Sequence, residues 1–227
     1  MISPKLSKRL STVTQYIRGG NILADIGTDH AYLPIYAVKE GLVSYAIATD
    51  INEGPLERAK GNIVENGLQE KIKTILTNGL DGVEIYKPDY ITICGMGGEL
   101  IVEILRASEY VRNTDVKLIL QPMTSIEELR DYLSSGYDIL DEYVVNEDKK
   151  FYQIICVQYT GKGRTISGLE REVGKGLFRK DNPDSKLYLD FLINKYRKIV
   201  ISKRNSSYDV SFEENRIKEL EKYYEIY

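Results

Sequence analysis

Leu23-Ala24-Asp25-Ile26-Gly27-Thr28-Asp29-His30-Ala31-Tyr32-Leu33-Pro34 is the stretch that decides the fold. An apolar run from Ile22 to Ile26 breaks at Gly27, three polar residues follow, and an apolar-rich segment then reaches Gly41, which reads as strand, turn and helix. In an open α/β sheet such a crossing puts a glycine turn and a helix N-terminus at the carboxyl edge of the first strand, where ligands bind. The turn carries two carboxylates, Asp25 and Asp29, and the single histidine of the chain, His30. A pyrophosphate wants amide donors and no nearby anion, so this turn serves a dinucleotide poorly. A ligand that joins a cation and an amine to ribose hydroxyls suits it better, and S-adenosylmethionine has all three.

Upstream, Leu6, Leu10, Val13 and Ile17 at spacings of three and four predict an amphipathic helix over 4–17, with Lys5, Lys8 and Arg9 on its other face. Downstream, a helix over 32–39 leads to a second strand over 45–49 that ends in Asp50, 23 residues past Gly27. An acidic residue so placed accepts hydrogen bonds from both hydroxyls of a ribose. Each such bond to a charged acceptor is worth about 1.5–3 kcal/mol. A helix over 54–66 and a third strand over 72–77 lead to Asn78-Gly79-Leu80-Asp81-Gly82. The Asn78 amide can donate to and accept from an adenine edge, although Asn-Gly is also a common turn dipeptide. Thr28, Ile51 and Gly79 flank these groups and join Asp25, Gly27, His30, Asp50 and Asn78 as candidate cofactor contacts.

A fourth strand, 90–94, is continuous and apolar as an internal parallel strand should be. It runs into Gly95-Met96-Gly97-Gly98, whose glycines let the backbone approach a flat ligand, so Gly95 is a further candidate contact. A fifth strand, 116–120, ends at Gln121-Pro122-Met123, and Ser125 with Glu128 predicts a capping box on the next helix. Segments 137–145 and 151–160 predict an antiparallel hairpin at the sheet edge. Five strand–helix units and this hairpin outline a doubly wound, Rossmann-like α/β sheet with one antiparallel strand, the layout of class I S-adenosylmethionine-dependent methyltransferases. Nicotinamide dinucleotide enzymes need Gly-x-Gly-x-x-Gly, and here Asp29 and Tyr32 occupy the second and third glycine positions.

The match goes beyond a fold class. Asp25 to Pro34, Ala48-Thr49-Asp50-Ile51-Asn52, Gly95-Met96-Gly97-Gly98 and Gln121-Pro122-Met123 resemble the bacterial tRNA (adenine-N1)-methyltransferases of the TrmK family, which modify adenosine 22 in the D-arm. The resemblance spans about residues 1–160, and the helical tail matches in character more than in sequence. Asn78 departs from it, standing where many methyltransferases place an aspartate. The resemblance implies S-adenosylmethionine as cofactor and tRNA as substrate.

Adenine N1 already carries a lone pair, so transfer from a sulfonium needs positioning rather than a strong base. This fits the absence of an Asn-Pro-Pro-Tyr type of sequence, which methyltransferases of exocyclic amines use. The target edge is the pairing edge, so the base must be exposed at a cost of a few kcal/mol. The product ring is cationic and a carboxylate beside it is stabilising. Asp29 is the candidate, with His30, Met96 and Gln121 shaping the pocket; the plainer reading of Asp29 is a helix cap.

At 227 residues and 42% apolar content the chain can bury one full core and carry an appended subdomain. No apolar run is long enough to span a membrane, no signal peptide is apparent, and no metal-ligand cluster occurs, so a cytoplasmic protein with reduced Cys94 and Cys156 is expected. The net charge of −3 conceals an asymmetry, since residues 163–204 hold 11 Lys and Arg against 5 Asp and Glu. A boundary near Gly161-Lys162-Gly163 divides a catalytic domain, 1–162, from a helical subdomain, 163–227. The segment 168–178 predicts a short helix and Asn182-Pro183-Asp184-Ser185 the start of a longer one over 186–203; stripes of Leu189, Leu192, Tyr196 and Ile199, and of Ile217, Leu220 and Tyr224, then predict a coiled-coil-like antiparallel hairpin. Lys195, Lys198 and Arg204 on its outer face, with Lys5 and Arg9, are the candidate tRNA-backbone contacts. The rival reading of the hairpin is dimerisation; the sequence leaves oligomeric state open, with a monomer preferred. Rival functions are a non-catalytic RNA-binding protein on this scaffold, or a methyltransferase for a small molecule or protein.

Overall fold

The structure, a computed structural model, describes residues 4–227. Strands β1 (Ile22–Ile26), β2 (Tyr45–Asp50), β3 (Ile72–Leu76), β4 (Tyr90–Met96), β5 (Lys117–Pro122), β6 (Tyr137–Glu147) and β7 (Lys150–Tyr159) form one sheet in the order 3-2-1-4-5-7-6. β1 to β5 pair in parallel, and β7 runs antiparallel to both β5 and β6. The expected doubly wound sheet with one reversed strand is what forms. The strand order turns back between β2–β1 and β4, the crevice where ligands bind in such sheets.

Two apolar layers cover the sheet. On one face α1 (Lys8–Thr14), α2 (Tyr32–Lys39) and α3 (Glu53–Glu65) pack Val13, Ile35 and Ile63 against Leu23, Ala46 and Ala48. On the other, α4 (Gly98–Ala107) and α5 (Ile126–Leu133) pack Ile101, Leu105 and Leu129 against Ala24, Ile91 and Leu118. A third apolar cluster, centred on Leu189, Leu192 and Leu220, joins α6 (Gly168–Glu172), α7 (Pro183–Asn205) and α8 (Ser211–Glu221) to Val144 of β6. Ion pairs show α7 and α8 antiparallel: Lys203 and Arg204 at the end of α7 meet Glu213 and Glu214 at the start of α8, while Arg197, earlier in α7, meets Glu221 at the end of α8. Asn182 caps α7 by accepting from the Asp184 N–H at 3.0 Å, with Pro183 in the first turn, as its sequence predicts.

Three local expectations change. The first helix is confined to Lys8–Thr14: Ser7 caps it, and beyond Thr14 the chain tightens into i→i−3 bonds from Gln15, Tyr16 and Ile17. Ser125 forms no capping box; it lies at φ 51° with no side-chain cap bond, because its carbonyl crosses Gly98, where a Cβ would stand 2.0 Å away. The capping box belongs instead to Ser167 and Glu170. The helix expected over 168–178 stops at Glu172, since Gly174 passes the buried Glu142 carboxylate so closely that a Cβ would sit 1.9 Å from it.

That carboxylate ties the two halves together. Arg130 of α5 pairs with Glu142 of β6, both almost fully buried, and donates to Gln153 Oε1 at 2.8 Å. Gln153 donates onward to the Glu172 carbonyl and to Tyr188 Oη, while Gly176 N–H donates to Glu142 at 3.2 Å.

Candidate active site

The site lies along the carboxyl ends of β1, β2 and β4. Asp25, 6% exposed, accepts from Thr92 Oγ1 and Thr28 Oγ1, each at 2.7 Å. Burial raises its carboxyl to about 6; the two hydroxyls oppose that shift, and nearby Asp50 adds to it. Gly27 has φ +72°, a backbone that favours glycine, and a Cβ there would stand 2.2 Å from Met96 Cε, so a side chain would displace the end of Met96. Gly95, at φ +80°, sits in the register shift between Cys94 and Met96. Burial pushes the Cys94 thiol well up, which keeps it neutral.

Asp50 is buried at the tip of β2 and accepts from the Asn52 N–H at 2.9 Å, which aims the carboxylate over the start of α3. Beside it Ile51 is 62% exposed, an apolar surface at the rim. Asp29 and Ala31 take φ 49° and 56°, and between them the His30 ring stacks on Tyr32 at 5.1 Å and 10°. Such backbone is costly and concentrates at functional turns. Asp29 does not cap α2, whose N-cap is Ala31 without a side-chain bond. It accepts instead from Arg58 at 2.8 Å and lies 3.4 Å from His30 Nε2.

Eight of the expected cofactor and catalytic residues line one of two hollows, whereas Asp50, Ile51, Met96 and Gln121 line neither. Asp25, Gly27, Thr28, Asp29, His30 and Gly95 line one of about 280 Å³. Asn78 and Gly79 line another of about 220 Å³ with Leu100 and Ile104 of α4. Gln121 is fully buried and its amide is spent: Oε1 accepts from Arg9 and from the Gly95 N–H at 3.1 Å, and Nε2 donates to the Pro122 carbonyl at 2.8 Å. It braces the β4 and β5 tips and does not offer its amide to a substrate.

Arg9 is the main surprise. Rather than facing outward with Lys5, it enters the 280 Å³ hollow, where it is the one lining cation. Its guanidinium lies 5.4 Å from the Tyr152 ring, with Nε 4.0 Å from Glu147. The signal was present, because Arg9 stands three residues past Leu6 and four before Val13, on the flank of the apolar stripe. The tail also differs from expectation. Lys195 pairs with Glu172 at 3.2 Å and Arg204 pairs with Glu214, so both cations are already matched. Lys198 and Lys5 are exposed and have no carboxylate partner among the described residues. Among those residues no three metal-ligating side chains cluster, and no helix is long and apolar enough to cross a membrane.

Comparison with known proteins agrees with this geometry. Residues 6–155 match the methyltransferase-domain family model. The chain is 39% identical over 171 residues to the tRNA (adenine(22)-N(1))-methyltransferase of Bacillus subtilis, covering 75% of this chain and 72% of that one. It superposes on the structure of M. capricolum TrmK in complex with S-adenosyl-homocysteine with a TM-score of 0.78 at 36% identity, covering 97% and 98% of the two chains. A Streptococcus pneumoniae protein in complex with S-adenosyl-L-methionine gives a TM-score of 0.82 at 34% identity, covering 95% and 99%.

Proposed function

This chain belongs to the family of tRNA (adenine(22)-N(1))-methyltransferases, and on that premise we propose that it transfers the methyl group of S-adenosylmethionine to N1 of adenosine 22 in tRNA. The observation that carries the reading is the pair of buried carboxylates, Asp25 and Asp50, at neighbouring strand tips beside the positive-φ turn at Gly27. These residues fit the donor: a ribose needs an acceptor such as Asp50, and a cationic tail needs an anion such as Asp25. When bound, the donor supplies an electrophilic methyl on a sulfonium.

The chain's residues then position and neutralise. Asp50 holds the ribose hydroxyls, with Ile51 against the adjoining ring and Asn78 and Gly79 on the adenine side. Asp25, steadied by Thr28 and Thr92, faces the positive end of the donor, and Arg9 is the cation matched to its carboxylate. Gly95 leaves room for the donor to approach β4. Met96 walls the β1 turn, and Gln121 is a positioning residue that acts through Arg9 and Gly95. Asp29, held by Arg58, and His30 form the outer lip where the product ring gains its charge. The catalytic domain is assigned to 1–162 and the helical subdomain to 163–227. Unmatched charge on Lys5 and Lys198 favours these over Lys195 and Arg204 as backbone contacts. A tRNA substrate places the reaction in the cytoplasm, and one chain carries every residue of the site, so a monomer suffices.

The test is labelled methyl transfer to tRNA transcripts that carry adenosine or guanosine at position 22. Label on the first alone is expected. Donor binding with no label on either transcript would point to another substrate class, and no donor binding would point to a non-catalytic scaffold.

A further inference from the structure

Tyr152 belongs to two surfaces. Its ring carries the Arg9 guanidinium of the donor hollow, and it also lines a separate cleft of about 660 Å³ between the tip of β5, the β6–β7 turn and α7. That volume suits a ligand the size of a nucleotide. One wall is an aromatic ladder in which the Phe191 ring lies 5.2 Å from Phe151 and 6.3 Å from Tyr188, nearly parallel to the latter at 16°. Phe191, the outermost rung, is 50% exposed, so one ring face has no cover.

The rim at the turn is basic. Lys149 and Lys150 line the cleft, and neither pairs with a carboxylate among the described residues. The backbones of Glu147 and Lys150 face each other across the hairpin, so the turn has two residues, Asp148 and Lys149, at φ 50° and 62°. Asn-Gly is the favoured occupant of such a turn, and a lysine held in that backbone at a cleft mouth is an expense that packing does not explain. The opposite wall carries Glu127 and Glu128 of α5. A polyanion would therefore run along the lysine side, with its bases turned towards the aromatic wall.

We propose that this cleft takes an unstacked nucleotide of the tRNA beside the target adenosine, with its base on Phe191 and its phosphate near Lys149 and Lys150. The proposal rests on the tRNA methyltransferase reading. Exposed aromatic faces beside unpaired lysines are how proteins hold single-stranded nucleic acid. Tyr152, against which Arg9 of the donor hollow packs, puts the cleft beside that hollow, and a base extruded for reaction leaves a neighbour that needs a stacking partner.

The chain has no tryptophan, so Phe191→Trp installs a single tryptophan, excitable apart from the 18 tyrosines, at the proposed contact. Adding tRNA should quench its emission. Leu187→Trp, exposed on the same helix but outside the lining, should not respond. Phe191→Ala should raise KM for tRNA about 5- to 150-fold, the range for loss of one stacked base. Its affinity for S-adenosylmethionine should stay unchanged, and Phe191→Trp should retain activity. A KM within twofold of wild type for Phe191→Ala, or a tryptophan signal indifferent to tRNA, overturns the proposal; a cleft kept for a protein partner would give both results. Wild-type protein that labels no tRNA would instead defeat the reading on which the proposal rests.

Discussion

The strand-tip site and the helical tail handle charge in opposite ways. At the site Asp25 is buried against two hydroxyls, and Asp50 meets a backbone N–H. In the tail Lys195, Arg197, Lys203 and Arg204 each meet a carboxylate of α6 or α8. Buried charge without a counter-ion is stabilised by what binds there, whereas paired surface charge orients helices and adds little. A net basic segment is thus a poor guide to where a polyanion sits. Its unmatched cations are a better one.

Four changes would break or sharpen that contrast. The largest effect is expected where the two regions join. Arg130→Ala leaves Glu142 buried without its cation and should cost about 3–5 kcal/mol in urea unfolding; a loss below about 1 kcal/mol would show that the pair is idle. Next is Asp25, whose carboxyl is raised from 3.8 to about 6. A raised carboxyl favours the protonated folded state, so ligand-free stability should fall by about 2–3 kcal/mol as pH rises from 4 to 7. Asp25→Asn should flatten that slope in thermal melts while weakening donor binding, and an unchanged slope would refute the burial argument. Gly27→Ala should destabilise by about 1–2 kcal/mol through its positive φ and drive Met96 from its place, detected as lower Tm with lower donor affinity. Smallest is Arg204→Ala, a half-exposed pair worth about 0.2–1 kcal/mol, with little change in the salt dependence of tRNA binding. A steep drop in that dependence would restore Arg204 as a phosphate contact.

Much of this was legible in the residues. Apolar runs bounded by turn residues located every strand and the helix over Tyr32–Lys39, because the internal parallel strands are buried on both faces. Asp25, Gly27 and Asp50 were readable since strand tips in parallel sheets point to one edge. What escaped depended on distant partners. Arg9 turns inward to meet Gln121, 112 residues away, and the helix after Gly168 ends where the chain meets Glu142. Ser125 lost its capping role to the crossing at Gly98, and the tail's cations were claimed by carboxylates that a linear charge count treats separately. Local pattern gives elements and edges, while pairing of side chains needs the third dimension.

Calorimetric titration of S-adenosylmethionine into wild-type protein and Asp50→Ala tests the central claim most directly. Clear heat with wild type and about 10- to 100-fold weaker binding for the variant are expected, the loss matching hydrogen bonds to a charged acceptor. Equal affinity of the two proteins, or no heat from wild type, would contradict the account.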